Sequence, residues 1–353
     1  MPDPDPTPMH EGGPRLTRRQ LLRAGATGAA GAAVTLAAGV PLGAQQANGR
    51  NDLAAAHTVH PPHTGGPVRT VDSSILDSTA LLTEFDTGVV SRLPDGRVLR
   101  EFEMVAVDRE IEVTAGVRFP AWTYNGRVPG PTIRATEGDR VRVLFRNGGS
   151  HAHTIHFHGM HAADMDGVFE VVEPGQSYVY EFDAEPFGLH LYHCHVMPLK
   201  RHIHKGLYGA FVIDPKQGRP PARELVMVMN GFDTNFDDEN EVYAANSIAF
   251  AYQQNPIPIR TNELVRIYLV NMTEFDLLNS FHLHGNMFRL YRTGTDLERF
   301  EWTDTVMQCQ GERAILEFSY RSPGLYMFHA HQSEFAELGW MGLFDVRDDG
   351  PLV

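Results

Sequence analysis

From residue 98 to residue 348 the chain alternates short apolar runs with clusters of turn-forming residues. Stretches such as "REFEMVAV", "RVRVLFRN", "QSYVYEFDA", "GAFVIDP", "NELVRIYLVN" and "RAILEFSY" are rich in Val, Ile, Phe and Tyr, and Gly, Pro, Asn and Asp separate them. No long helical period interrupts the series. Regular short strands with frequent turns predict an all-β fold of the sandwich or barrel type.

The pattern also repeats. In the first half "EGDRVRVLFRNGGSHAHTIHFHG" is followed by "VEPGQSYVYEFDAEPFGLHLYHCH" and "GLYGAFVIDP". In the second half "RTNELVRIYLVNMTEFDLLNSFHLHG" is followed by "GERAILEFSYRSPGLYMFHAH" and "GWMGLFDV". Each half runs strand, His-x-His-Gly, strand, His-x-His, loop, closing strand. Two copies of one unit imply two similar domains, at about 98–216 and 222–348, with "PKQGRPPAR" as the connection.

The chain before residue 98 has a different texture. "TRRQLL" (Thr17 to Leu22) places two arginines ahead of a run of Ala, Gly, Val and Leu that ends near Val40, with small residues near Ala44. This is the layout of a secretory leader over residues 1–44, and the arginine pair suits the twin-arginine route to the periplasm or the exterior. The run is too weakly hydrophobic for an uncleaved membrane anchor, so no span is expected in the mature chain. Residues 45–97 read as linker and N-terminal arm, and His57, His60 and His63 as part of a solvated tail. The formal net charge of −14 argues against a nucleic-acid partner, which requires a basic patch.

Chemistry is concentrated in 18 histidines and two cysteines, Cys194 and Cys309. Successive side chains on a strand point to opposite faces. In "YHCH", His193 and His195 therefore point one way and Cys194 the other. In "HTIHFHG", His156 and His158 share a face and His153 has the opposite parity. The first half thus offers His156, His158, His193 and His195 on one side, and His153 and Cys194 on the other. The second half offers His282, His284, His329 and His331. Asn279 stands where His153 would be, and Ala330 where Cys194 would be. Imidazole suits copper, zinc, iron and nickel, while one thiolate with two imidazoles is the donor set of a blue-copper electron-transfer site. Four His-x-His pairs at matching positions indicate metal binding.

This constellation resembles the multicopper oxidases, specifically the two-domain laccase-like group, over about residues 98–348. The resemblance implies two cupredoxin-like Greek-key β-sandwich domains and four coppers per chain. It implies a type 1 copper held by His153, Cys194 and His202, with His204 as a rival to His202. It also implies a type 2 copper on His156 and His282, and a type 3 pair on His158, His193, His195, His284, His329 and His331. Leu207 occupies the axial position where the family often has methionine, which implies a three-coordinate copper of higher potential; Met197 is a less favoured axial donor. The implied activity is one-electron oxidation of a phenolic or aromatic-amine donor coupled to four-electron reduction of O2. Oxidation of Cu(I), Mn(II) or Fe(II) is the alternative. The copper nitrite reductases share the architecture but have Asp at the position of His156. The two-domain relatives build their clusters between chains, which implies a homotrimer with the cluster shared between subunits.

Asp166, in "HGMHAADMDG", and Glu334, after "HAH", are candidates for proton supply. His151, His161 and His190 lie close to ligands and are expected to support them or lie on the surface. Cys309 is expected to be a buried thiol, since copper would occupy Cys194. The 13 methionines are scattered, so no Met-rich insert marks a cuprous oxidase.

Overall fold

The computed structural model describes residues 77–348. The expected leader and the histidines of the tail lie outside the described residues. What is described is 48% strand and 9% helix. The first half contains β1 (Val89–Arg92), β2 (Val98–Thr114), β3 (Val117–Tyr124), β4 (Ile133–Thr136), β5 (Arg140–Asn147), β6 (His156–Phe157), β7 (Ser177–Asp183), β8 (Gly188–His193) and β9 (Tyr208–Asp214). One sheet has the order β1-β2-β5-β7, with β3 added to β2; the other runs β4-β9-β8-β6. Alternation is plain in β5, whose residues are buried at every second position. Phe102, Val143, Tyr180, Phe157, Tyr192 and Phe211 come from both sheets and form one core between them, as a sandwich requires.

The second half contains β10 (Arg223–Phe232), β11 (Val242–Ala245), β12 (Ile257–Arg260), β13 (Val265–Asn271), β14 (Leu278–Leu283), β15 (Phe288–Arg292), β16 (Glu301–Thr303), β17 (Thr305–Cys309), β18 (Arg313–Phe318), β19 (Gly324–His329) and β20 (Met341–Arg347). Its sheets run β11-β10-β13-β18-β15-β16 and β12-β20-β19-β14-β17. The path β12-β20-β19-β14 reproduces β4-β9-β8-β6, including the parallel first pair in each. The internal repeat is therefore structural as well as sequential.

A third apolar cluster joins the halves. Leu189, Leu191 and Val212 from β8 and β9 meet Val228, Tyr268 and Ile315 from β10, β13 and β18. This is why β8 is buried along its whole length: one face lies in its own sandwich and the other against the second half. The arm before residue 98 contributes α1 (Ser78–Thr83), which Asp77 caps by accepting the Thr79 N–H and which buries Leu81 and Leu82, and the edge strand β1. The other helices are short: α2 (Leu199–His204), α3 (Ala251–Gln254) and α4 (Ser333–Glu337). Among the described residues no helix is long and apolar enough to cross a membrane.

Candidate metal centre

Residues from three different segments bring one thiol and two imidazoles together. Cys194 follows β8, His153 lies in a bridge to Val172 before β6, and His202 sits in α2. The Cys194 Sγ lies 3.2 Å from His202 Nδ1 and 3.9 Å from His153 Nδ1, and the two Nδ1 atoms are 3.3 Å apart. All three residues are buried. Burial pushes the imidazole of His153 down to about 3 and that of His202 to about 4, with neighbouring charges adding to the shift. Both rings are therefore neutral at pH 7, with a lone pair to offer. Burial also pushes the Cys194 thiol up, opposed by backbone N–H groups, and Thr154 N–H donates to its sulfur at 3.4 Å. A soft thiolate with two imidazoles fits copper.

The remaining histidines fall into two sets. His156 pairs with His193 across β6 and β8, and His282 pairs with His329 across β14 and β19. His156, His158 and His193 present ligand atoms within 4.8 Å of one another, as do His282, His284 and His329. His195 and His331 complete the sets, with ring centres 5.4 Å from His156 and 5.2 Å from His282. Among the described residues no such group combines the two sets.

Hydrogen bonds fix which nitrogen each ring offers. A carbonyl oxygen only accepts, so a ring nitrogen facing one must carry the proton. His156 Nδ1 donates to Asp166 O at 2.7 Å and His193 Nδ1 to Cys194 O at 2.9 Å. In the second set His282 Nδ1 donates to Asp304 O at 3.0 Å or Thr305 Oγ1 at 2.8 Å, and His329 Nδ1 to Ala330 O at 2.6 Å. Each of these four rings is left with a bare Nε2 turned toward its set. The His158 and His193 Nε2 atoms are 3.3 Å apart, and those of His284 and His329 2.9 Å. Burial and neighbouring histidines hold His158 down to about 3 and His193 to about 4.

Residues 106–218 and 219–350 each match a sequence profile described as multicopper oxidase. The chain belongs to the multicopper oxidase family. Its sandwiches are cupredoxin-like. A solved structure titled as a multicopper oxidase is 56% identical, covers 77% of this chain and 97% of its own, and superposes with a TM-score of 0.76. The copper nitrite reductase from Nitrosomonas europaea is 26% identical, covering 72% of this chain and 95% of its own, with a TM-score of 0.67. The copper-containing nitrite reductase of Neisseria meningitidis is 31% identical over 65% of this chain and 64% of the relative's length. The family is thus related to copper nitrite reductases, and the donor sets above fit copper.

Other expected residues of this multicopper oxidase fall as follows. His204 is buried and turned away from Cys194: its Nε2 accepts the Asp233 N–H at 3.2 Å, and its ring packs on Phe119 and Phe275. Leu207 is fully buried in the cluster that holds Cys194, and its carbonyl accepts the Cys194 N–H. Met197 is exposed. Asp166 Oδ1 lies 3.2 Å from His156 Nδ1 and 3.9 Å from His161 Nε2. Gly167 follows it with φ +69, and a Cβ there would sit 2.0 Å from the Ile155 carbonyl oxygen. Glu334 is exposed in the first turn of α4. His190 is buried, its Nε2 donating to Pro186 O at 2.8 Å.

One expectation is corrected. Cys309 is not buried but exposed. It ends the edge strand β17, where Val306 and Gln308 point inward and Met307 and Cys309 outward. Three groups escaped the sequence reading. Thr305 and Asp304 serve His282 because β17 pairs with β14, setting His282 opposite Thr305. Trp122 lies against both His153 and His202, with ring centres 5.3 and 4.9 Å away. Thr154 Oγ1 accepts the His195 N–H at 3.0 Å, and Ser280 Oγ accepts the His331 N–H at 2.8 Å. That last pair had a signal: each hydroxyl stands two residues before a His-x-His motif, Thr154 before His156 in "TIHFHG" and Ser280 before His282 in "SFHLHG".

Proposed function

We propose that the chain is a laccase-like oxidase that removes single electrons from a phenolic or aromatic-amine donor and reduces O2 to water. In this reading His153, Cys194 and His202 hold a type 1 copper beside the non-ligating Leu207. His156 and His282 hold a type 2 copper, and His158, His193, His195, His284, His329 and His331 a type 3 pair. Copper, when bound, supplies the one-electron acceptor and the site at which four electrons and four protons convert O2 to two waters. The chain's own residues do the rest. Cys194 lies between His193 and His195 in sequence, and its carbonyl accepts from His193 Nδ1, so covalent and hydrogen-bonded routes lead from the thiolate to the histidine set. Asp166, within reach of His156 and His161, is placed to hold and pass a proton. Exclusion of water from Cys194 protects the thiolate site.

The observation that carries this reading is the supply of histidines: four in each half, beside a separate thiolate site. A mononuclear second site, as in a nitrite reductase, has no use for so many. The 56% identical structure, titled multicopper oxidase, supports the same side. The test is direct. Copper-loaded protein is given 2,6-dimethoxyphenol in an oxygen electrode, and separately nitrite with a reduced viologen under argon. Oxygen uptake without nitrite loss is expected; nitric oxide production without oxygen uptake would make it a nitrite reductase. Uptake with Fe(II), Mn(II) or Cu(I) alone would make it a metal-ion oxidase.

We further propose that the cluster is completed between chains, in a head-to-tail ring of three. The second histidine set supports this. By strand alternation His282, His284 and His329 share the outer face of their sheet with Leu278, Met307 and Leu325, all three of them exposed. An open apolar face studded with metal-binding groups calls for a covering partner.

A further inference from the structure

The donor side of the thiolate site has a built surface of its own. Trp122, only 6% exposed, packs on the rings of both His153 and His202. Its backbone N–H donates to Lys205 O at the end of α2, which fixes the indole relative to the helix that carries His202. Above it lie two exposed groups. The His151 ring lies tilted by 38° with its centre 4.4 Å from that of Trp122, and the Arg201 guanidinium sits 5.1 Å from the Trp122 ring centre. Any electron reaching the two histidines from this side passes an aromatic surface roofed by a cation.

Several neighbouring charges are engaged. Lys200 pairs with Asp238 at 3.3 Å. Lys205 donates to Pro120 O and lies over Phe119 and Phe236. Asp108 accepts the Ser150 N–H at 3.1 Å. The nearby Asp233 and Glu241 accept from backbone and side-chain donors of their own loop, at Phe236, Asp237, Asp238, Thr234 and Asn235. Arg201 makes no ion pair with a carboxylate among the described residues; its partner is the Trp122 ring. A guanidinium over an aromatic ring, with no carboxylate partner among the described residues, is suited to a planar anion. The overall charge of −14 does not cancel it, because salt screens exposed charges beyond about 8 Å.

We propose that Arg201, Trp122 and His151 form the donor-docking face of the thiolate site and that it selects aromatic donors carrying an anionic group, such as phenolic carboxylates, over metal cations. This rests on the oxidase reading above and names its donor class. The donor ring lies against the exposed His151 ring, which rests on Trp122, with its carboxylate at Arg201. In each step the phenol loses one electron and its O–H proton. Copper held by His153, Cys194 and His202 would be the acceptor of that electron; the proton goes to solvent, and an oxygen-centred radical leaves.

Two measurements test it. Copper-loaded protein, fully reduced under argon and therefore diamagnetic, is titrated with redox-inert 4-methoxybenzoate and with neutral 4-methoxybenzyl alcohol. The Trp122 indole resonance is followed, assigned with Trp122→Phe among the three tryptophans. The acid should shift this resonance and bind about fivefold tighter than the alcohol, the scale of one exposed charge pair. Arg201→Gln should erase that preference while leaving the blue absorption of the oxidised protein in place, which shows an intact fold and site. In turnover, the ratio of kcat/KM for syringate to that for 2,6-dimethoxyphenol should fall by about the same factor in Arg201→Gln. Taking the ratio cancels any change in copper potential. Equal binding of acid and alcohol, an unperturbed Trp122 resonance, or an unchanged ratio would overturn the proposal. The titration involves no turnover, so failure of oxygen uptake would sink the oxidase reading without touching this result.

Discussion

At the scale of single residues, Cys194 and its neighbours make separable claims. Cys194→Ser replaces a soft thiolate donor with a hydroxyl. It should abolish the intense blue absorption and donor oxidation yet leave about three coppers per chain, because the imidazole sets are untouched. A blue variant would place the thiolate site elsewhere. His202→Ala should also bleach the protein, since His202 Nδ1 is 3.2 Å from the sulfur. His204→Ala should stay blue and lose the hydrogen bond from the Asp233 N–H and packing against Phe119 and Phe275, a cost of about 1–3 kcal/mol read by thermal unfolding. Leu207→Met should lower the potential of the blue copper, because a weak axial thioether stabilises Cu(II). An unchanged redox titration would mean that residue 207 does not face the metal.

At the scale of elements, strand β8 carries a testable pH dependence. Burial holds the imidazole of His190 down to about 4. Above the usual 6.5 neither the folded nor the unfolded chain binds this proton, so stability is unaffected. As pH falls through 6.5 the unfolded chain takes up a proton that the folded chain refuses, and stability is lost until about pH 4, where the folded form binds it too. The loss is on the order of 3 kcal/mol by pH 4 for this residue alone. Copper-free His190→Gln, which keeps a donor toward the Pro186 carbonyl, should show a shallower fall of Tm between pH 6.5 and 4 than the parent; parallel curves would contradict the assignment. The same elements show what could be read in advance. The strand period placed His193 and His195 opposite Cys194, because that depends on local alternation alone. It could not place Asp304 and Thr305 beside His282, or Trp122 beside His202, because those contacts come from pairing between strands distant in sequence. The exposure of Cys309 is illegible in the sequence for a related reason: which face of β17 is covered depends on its being an edge strand, a property of the sheet and not of the segment.

At the scale of the whole molecule, the internal repeat was legible because two segments of one chain could be compared with each other. The packing of the two halves through Leu189, Leu191, Tyr268 and Ile315 was not, since apolar strand residues look alike whichever core they enter. That packing leaves the histidines of the two halves in separate groups within the chain. On the reading proposed above, a cluster drawing on both sets would be completed by another copy, and this is the central claim. The measurement that tests it most directly is complementation. Chains carrying His156→Ala and chains carrying His329→Ala are co-expressed with different tags, purified as mixed assemblies, and assayed for oxygen uptake. Each variant alone should be inactive. Every mixed ring of three has one junction in three that pairs an intact first half with an intact second half, so the mixture should recover about a third of the parent rate. A mixed assembly with no more uptake than either variant alone would contradict the account, because each chain would then be building its cluster from its own histidines.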